Sequence, residues 1–199
     1  MTDYWVLSSI SDYLHGVGKA GLPKTLTVTP AGGAQKVGYM VALLTSERLR
    51  VLVLLDEEKG ARCTRDEIVK AKLIREDGVL FVSSCFTGED RPHEADMEDL
   101  LDPIVFDALV RESYKTELKD RELALNASIP RIVKRYEAAF SAIGLEFYKT
   151  RPARLFLSKM AKDPDTVIFG TALARFELLL TQISRAHSNL TIKYATPFH

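Results

Sequence analysis

The pattern of hydrophobic and polar positions changes about halfway along the chain. In the first hundred residues, short apolar runs rich in β-branched residues alternate with segments whose apolar residues recur at helical spacing. This pattern predicts strands at 25–29, 51–55 and 79–83, each bounded by glycine, proline or charged residues. It predicts helices from the N-terminus to a glycine stop at 16–18, at 35–44 and at 66–74. Because strands and helices alternate, we expect an α/β fold with a parallel sheet flanked by helices.

From residue 103 onward the pattern is almost entirely helical. Apolar residues recur with a period of 3.6 over the segments 103–114, 130–143, 152–160 and 171–187. Three of these segments begin at a proline, which suits the first turn of a helix. We therefore expect an α/β domain at 1–102, a helical subdomain at 103–187 and a polar tail at 188–199 that forms an extended or frayed end.

Composition and charge exclude some classes of protein without choosing a function. The chain has 27 basic and 27 acidic residues among 199, so its bulk charge favours neither nucleic acid nor an acidic membrane surface. No apolar run approaches the roughly 20 residues that a membrane span needs, and the N-terminal segment lacks the features of a signal peptide. The two cysteines, Cys63 and Cys85, form no CxxC motif and are typical of reduced thiols in a cytoplasmic protein.

Two clusters of acidic residues follow two of the predicted strands. Asp56 and Glu58 come directly after the apolar run at 51–55, and residues two apart on an extended segment point the same way. These two carboxylates could therefore face one cation, with Glu57 on the opposite side. The second cluster has four acids in six positions, at 94–99, and includes Glu98. Because ligands of open α/β sheets bind at the carboxyl ends of strands, the two clusters could converge on one or two hard cations such as Mg²⁺.

Each of these signals also has a purely structural interpretation. Acids after a strand can form a solvated turn at the start of the next helix, where the helix dipole favours negative charge. Asp102, directly before a proline, is typical of an N-cap. The turn at 30–33, followed by Lys36, could accept an anion at a helix N-terminus or be a plain tight turn. His93 is interpreted as a loop residue, and no serine–histidine or cysteine–histidine motif is present.

The order of these segments resembles the TOPRIM domain of the overcoming-lysogenisation-defect (OLD) family of nucleases. The resemblance is carried, in chain order, by TDYWVL, PAGGAQKV, LLDEEKG, ADMEDLLDP and FYKTRPARLFLSKM. The first of these is similar to the end of the family motif V-E-G-x-[ST]-D-Y, and the similarity spans residues 2 to about 160. It implies a DNA endonuclease that depends on Mg²⁺ or Mn²⁺, with two cations on the attacking and leaving oxygens of a phosphodiester.

The resemblance also implies roles for individual residues. The metal ligands would be Asp3, Asp56, Glu58 and Glu98. The catalytic residues would be Glu98 and Lys149, with Lys149 neutralising charge at the phosphate in the transition state. The residues that contact DNA phosphates would be Lys36, Arg151 and Arg154.

The chain departs from the family pattern in two ways. The second acid of the family's D-x-D pair is a glutamate here, Glu58. Met1 stands at the x of the V-E-G-x motif, so the motif's glutamate and the first strand that ends there would precede this chain. The family's ATPase domain, through which alone ATP would act, would precede it as well. We therefore expect a fragment of a longer ATPase-nuclease, impaired as an isolated chain, with a sheet edge that allows a homodimer.

Two other functions remain open on the sequence. One is a non-catalytic interaction or regulatory module with a degenerate TOPRIM site, which the missing glutamate and the D-x-E change favour. The other is a phosphoacceptor like a response regulator, with Asp56 at a strand end. That fold needs an acid pair after its first strand, which this sequence does not provide, so it ranks last.

Overall fold

A parallel pair of short strands forms the only sheet in the part of the chain that the computed structural model describes, residues 2–88, 91–119 and 121–194. Strand β1 (Val53–Leu55) pairs with strand β2 (Val79–Phe81), so that Val53 lies beside Val79 and Leu55 beside Phe81. Helix α3 (Ala61–Lys70) connects them, as a parallel crossover requires. The predicted α/β character is thus confirmed in part. The chain is mostly helical and contains one small, two-stranded βαβ unit within the described residues.

This βαβ unit has a small hydrophobic core of its own. Helix α2 (Ala34–Ser46) packs on the strands together with α3. The buried residues of this core are Val37, Val41, Val53, Leu55, Ala61, Ile68 and Val79. Two of them, Val53 and Val79, lie side by side on the strands, and β-branched residues suit a pleated, buried surface.

The strand predicted at 25–29 is absent, and this prediction was wrong. Its side chains do alternate, since Leu26 and Val28 pack against the core while the threonines between them are exposed. No described strand pairs with the segment, so ladder hydrogen bonds do not form and the backbone stays irregular. The alternation of apolar and polar side chains shows which face of the segment is buried, but a β-strand also needs a second strand to pair with.

The larger core is helical and includes the N-terminal helix. Helix α1 (Thr2–Gly16) buries Ile10 and Leu14 completely and packs against α7 (Thr150–Lys162), far along the chain. Helices α4 (Pro103–Ser113), α5 (Lys115–Leu118), α6 (Ile132–Ala142) and α8 (Gly170–Tyr194) complete it. At its centre five aromatic rings meet edge-to-face or stacked, Phe106, Tyr114, Tyr136, Phe140 and Phe147.

The four helices predicted in the second half are all present. Asp102 is the N-cap of α4, as its sequence context indicates, and its Oδ1 accepts a hydrogen bond from the backbone N–H of Ile104 at 2.8 Å. The extended tail predicted from residue 188 was wrong as far as Tyr194, because α8 continues to that residue. Ser188 donates its hydroxyl to the carbonyl of Ser184, so a polar residue continues the helix. Residues 195–199 of the predicted tail, like Met1, lie outside the described residues.

A short 3-10 turn connects the two cores. The turn Met97–Leu100 has a capping box, in which Asp99 accepts a hydrogen bond from the backbone N–H of Asp96 at 2.7 Å. The other carboxylate oxygen of Asp99 accepts from the N–H of Ile132, at the start of α6. An isolated antiparallel bridge between Glu57 and Ala95 fixes the turn beside the end of β1. Asp99 is therefore a structural cap, the alternative that the sequence left open.

Within the described residues, no helix combines the length and the apolar composition that crossing a membrane requires.

Candidate functional site

Five carboxylates and two cations meet at the carboxyl end of β1. We call the carboxylates the acid cluster, which consists of Asp3, Asp56, Glu58, Asp96 and Glu98. The cations are Lys149 and Arg131, both of which interact electrostatically with Asp56, and we divide the cluster by the cation that each acid contacts into a Lys149 half and an Arg131 half. The structure thus brings together Asp3, Asp56, Glu58, Glu98 and Lys149, which the resemblance singled out.

Asp56 belongs to both halves. It follows β1 directly and is partly buried. Its pKa is well above the ordinary value, first because burial penalises the charged carboxylate and then because Asp3 and Asp96 repel it. Lys149 offsets only part of this effect. A desolvated carboxyl group among like charges is favourable only with a proton or a cation bound.

In the Lys149 half, one ammonium group lies between two carboxylates. Lys149 directly precedes α7, and its Nζ lies 3.2 Å from Oδ1 of Asp3 and 3.3 Å from Oε1 of Glu98. Burial alone would lower the pKa of Lys149, but Glu98, Asp3 and Asp56 outweigh burial and raise the pKa. Lys149 is therefore a protonated ammonium at neutral pH, which excludes it as a nucleophile or a general base.

Glu98 has a buried carboxylate with an ion pair to Lys149 but no hydrogen bond within the described chain. Its exposed fraction is 4%, and neither of its oxygens accepts a hydrogen bond from the residues that the structure describes. Burial raises the pKa of Glu98 to about 7, with Lys149 lowering it and Asp3 raising it by smaller amounts. A buried carboxyl group without hydrogen bonds is expected to take up either a proton or a cation.

In the Arg131 half, a guanidinium group is held firmly by two acids. Arg131 directly precedes α6, and its Nη2 and Nε lie 2.6 Å and 2.8 Å from Oδ1 of Asp96. Its Nη1 lies 3.2 Å from Oε2 of Glu58. The side chains of Arg131 and Asp96 are 16% and 2% exposed, so this ion pair is nearly removed from water.

Sequence reasoning missed Arg131 and gave Asp96 no role of its own. Asp96 lies among the acids at 94–99, but its partner is 35 residues further along, at the start of a predicted helix. An arginine at that place has no local feature that distinguishes it from a solvated one. The tertiary structure brings the pair together, where the backbone N–H of Ile132 donates to Asp99 and anchors α6 to the 3-10 turn.

The predicted alternation at the end of β1 is visible in the contacts. Glu57 points away from the acid cluster and is 3% exposed. It accepts hydrogen bonds from Nε of Arg62 at 2.8 Å and from Oγ of Ser83 at 2.6 Å. Asp56 and Glu58, on either side of Glu57, both interact with Arg131 instead. Extended geometry thus sends the two carboxylates to one side and Glu57 to the other.

The three residues predicted to contact DNA phosphates lie in different environments, and none forms an ion pair with the acid cluster within the described chain. Lys36 is exposed, beside the turn at Gly32. Arg151 forms a bidentate pair with Glu117 and stacks on the ring of Tyr114, 3.9 Å from its centroid, so its visible contacts are structural. Arg154 is exposed on α7. Their contact with phosphates stays a prediction.

The residues of the Lys149 half fit a hard divalent cation by their chemistry. Asp3, Asp56 and Glu98 offer carboxylate oxygens, which Mg²⁺ and Mn²⁺ prefer, and Glu98 has no hydrogen bond to lose. In the described residues, no group of three or more acid, histidine or cysteine side chains is already arranged as a metal site. The ammonium of Lys149 separates Asp3 from Glu98, so a cation there would require Lys149 to move aside.

Comparison with protein-family models, with curated proteins and with solved structures finds no match to this chain. The resemblance to the OLD-family TOPRIM domain therefore stays a prediction that rests on the quoted motifs.

Proposed function

We propose that this chain is a module of a metal-dependent DNA endonuclease, and that its acid cluster binds Mg²⁺ or Mn²⁺. The observation that supports this proposal best is the buried carboxylate of Glu98, which accepts no hydrogen bond from the described residues and faces a protonated lysine. Asp3 contacts the same ammonium group. Asp56, at the end of strand β1, is close enough to interact with it electrostatically. A strand end with this much uncompensated negative charge favours a cation over a neutral ligand.

The proposed chemistry assigns a different task to each residue of the Lys149 half. A bound divalent cation would polarise a phosphodiester and the water that attacks it. Asp3, Asp56 and Glu98 would hold that cation through carboxylate oxygens. Lys149, permanently protonated, would donate hydrogen bonds to a non-bridging phosphate oxygen as negative charge grows in the transition state. Exposed Arg154, on the helix that Lys149 precedes, would contact the neighbouring DNA backbone.

A non-catalytic interaction or regulatory module is the second candidate, and one observation favours it. Both cations of the site already have carboxylate partners, so the cluster can act as a structural ion network. It would join α1, the end of β1, α6 and α7 without any bound metal. A buried network of this kind can specify the packing of a fold without taking part in chemistry.

Calorimetric titration with Mn²⁺ distinguishes the two candidates. We expect saturable binding to the full chain and its loss in Asp56→Asn and Glu98→Gln, because each variant removes a carboxylate of the Lys149 half. The matched control is Glu137→Gln, which removes a partly exposed acid that pairs with Lys134 on α6. If the full chain shows no saturable binding, the endonuclease proposal fails and the structural network remains.

Nicking of supercoiled plasmid in the presence of Mn²⁺ tests the activity itself. We expect the isolated chain to nick weakly, and Lys149→Met to abolish that nicking while Mn²⁺ still binds, because the lysine acts on the phosphate and not on the metal. Nicking that survives in Lys149→Met would remove the lysine from the mechanism. Binding of Mn²⁺ without any nicking by the full chain would favour a regulatory metal site.

A further inference from the structure

We infer that the acid cluster takes one divalent cation, in the Lys149 half, and that Arg131 permanently occupies the place of a second. This inference rests on the proposed function and departs from the two-cation site that the sequence resemblance implies. It follows from how differently the two halves hold their own cations.

Arg131 lies where a second metal would find its ligands. Its guanidinium contacts Asp96 and Glu58 directly, and Asp56 is close enough to interact with it electrostatically. These are three carboxylates around one positive charge, the same number that surrounds Lys149. A second cation that bridged to Asp56 would have to share the space of the guanidinium.

Arg131 is not expected to leave that place. Three of its nitrogens contact carboxylate oxygens, and its side chain is only 16% exposed. Displacing the guanidinium would expose the nearly buried Asp96 to a new partner and leave a desolvated arginine without one. The planar guanidinium also matches the carboxylates geometrically, which an ammonium does not.

Lys149 is held much more loosely. Its Nζ contacts are longer, at 3.2 Å and 3.3 Å, and its side chain is 33% exposed. The four-carbon stem of a lysine allows the ammonium to move outward while its charge stays near the site. Among the described residues, Lys149 donates one long hydrogen bond, to Asp3, and none to Glu98, so moving it breaks a single hydrogen bond and leaves carboxylates that a metal could engage instead. The Lys149 half can therefore exchange its cation, and the Arg131 half cannot.

Counting bound Mn²⁺ on the full chain tests this inference directly. We expect one Mn²⁺ per chain by calorimetry, and an electron paramagnetic resonance spectrum of isolated ions. Two ions per chain, with the exchange coupling of a pair roughly 4 Å apart, would overturn the inference and leave the proposed function intact. No binding at all would overturn both, so the two failures are distinguishable.

Arg131→Met provides the second test, because methionine keeps much of the side-chain volume without the charge. We expect the count of bound Mn²⁺ to rise from one to two, with a coupled spectrum, as Asp96 and Glu58 become available. The matched control is Lys134→Met, which removes an exposed cation from the same helix and should leave one ion bound.

A folded Arg131→Met variant that still binds one ion would overturn the inference, since Arg131 would then not set the number. Circular dichroism establishes whether the variant is folded. If it is not, the count and the spectrum of the unmodified chain decide alone.

Discussion

The Lys149 half and the Arg131 half of the acid cluster contain similar charges, but they hold their cations with different tightness. Each places one cation against two carboxylates and near Asp56. The Arg131 half is closed, with contacts as short as 2.6 Å and a guanidinium that is 16% exposed. The Lys149 half is open, with contacts above 3 Å and an ammonium side chain that is 33% exposed. Charge alone therefore does not identify a metal site, because the strength with which the existing cation is held decides whether a metal can enter.

The chemistry of the two side chains explains why one cation is held more tightly than the other. A guanidinium is a rigid, weakly hydrated fork that fits carboxylates at more than one nitrogen, whereas an ammonium is a strongly hydrated point charge on a flexible stem. Arginine is thus suited to a permanent place in a nearly buried site. Lysine is suited to a site where its ammonium group must move aside for another cation or bind the same carboxylates together with it.

The largest predicted difference between the two halves is in the free energy of unfolding. Arg131→Met should lower the free energy of unfolding by about 3–5 kcal/mol, because it leaves the nearly buried carboxylate of Asp96 without a cation, with only its capping-box hydrogen bond from the backbone N–H of Asp99. Lys149→Met should lower it by only about 1 kcal/mol, because Lys149 is partly exposed and its partner Glu98 can take up a proton. Urea denaturation at neutral pH measures both values.

A double variant provides the control for that stability prediction. Asp96→Asn combined with Arg131→Met removes both charges and should recover part of the loss caused by Arg131→Met alone. Equal losses for Arg131→Met and Lys149→Met would contradict the assignment of one closed and one open half.

The next effect concerns pH and isolates Glu98. Its pKa is about 7 in the folded chain against an ordinary 4.5, so the folded state binds this proton more tightly than the unfolded state. The contribution of Glu98 to stability is therefore complete below pH 4.5 and is lost as the pH rises through 7, by roughly 3 kcal/mol. Glu98→Gln should remove this loss, as urea denaturation at a series of pH values would reveal.

Glu117→Gln is the control of opposite sign. The hydrogen bond from Arg151 lowers the pKa of Glu117, so its contribution is present at high pH and is lost as the pH falls through the folded-state pKa. A Glu98→Gln variant with the same pH profile as the unmodified chain would show that Glu98 is not the group that titrates near neutrality.

The smallest predicted effect is that of Glu58→Gln, which tests whether Glu58 belongs to the Arg131 half. Glu58, a metal ligand by the sequence resemblance, is engaged by Arg131 in the structure. Glu58→Gln should therefore weaken Mn²⁺ binding by no more than about threefold, and should cost less than about 1 kcal/mol of stability because the pair is partly exposed. Asp56→Asn should lose binding. Loss of binding in Glu58→Gln as well would move Glu58 into the metal site and argue against a separate Arg131 half.

Local structure and the position of the strand-end acids could be predicted from the sequence. The period of apolar residues located the helices of the second half, and a proline after Asp102 marked an N-cap that the structure confirms. The apolar run at 51–55 yielded a parallel strand whose end delivers Asp56 and Glu58 to one side and Glu57 to the other. These features depend on residues close together in the chain, so their physics is contained in short segments.

Pairing between distant segments could not be predicted in the same way. The segment at 25–29 has the composition and alternation of a strand but no described strand beside it, so no ladder forms. Arg151 resembles a phosphate-binding residue in its motif, yet the structure pairs it with Glu117. In both cases the local pattern is compatible with two outcomes, and a contact from elsewhere in the chain selects one.

The sequence by itself determined where most of the helices lie, where β1 ends and that several carboxylates follow it. Only the tertiary structure decided which cations meet those carboxylates and how tightly. The physical reason is that Asp96 and Arg131 are 35 residues apart, and Asp3 and Lys149 are 146 apart. Such pairs form only once the capped 3-10 turn and the packing of α1 on α7 have placed their backbones. Burial then sets the strength of each pair, and burial is a property of the folded chain.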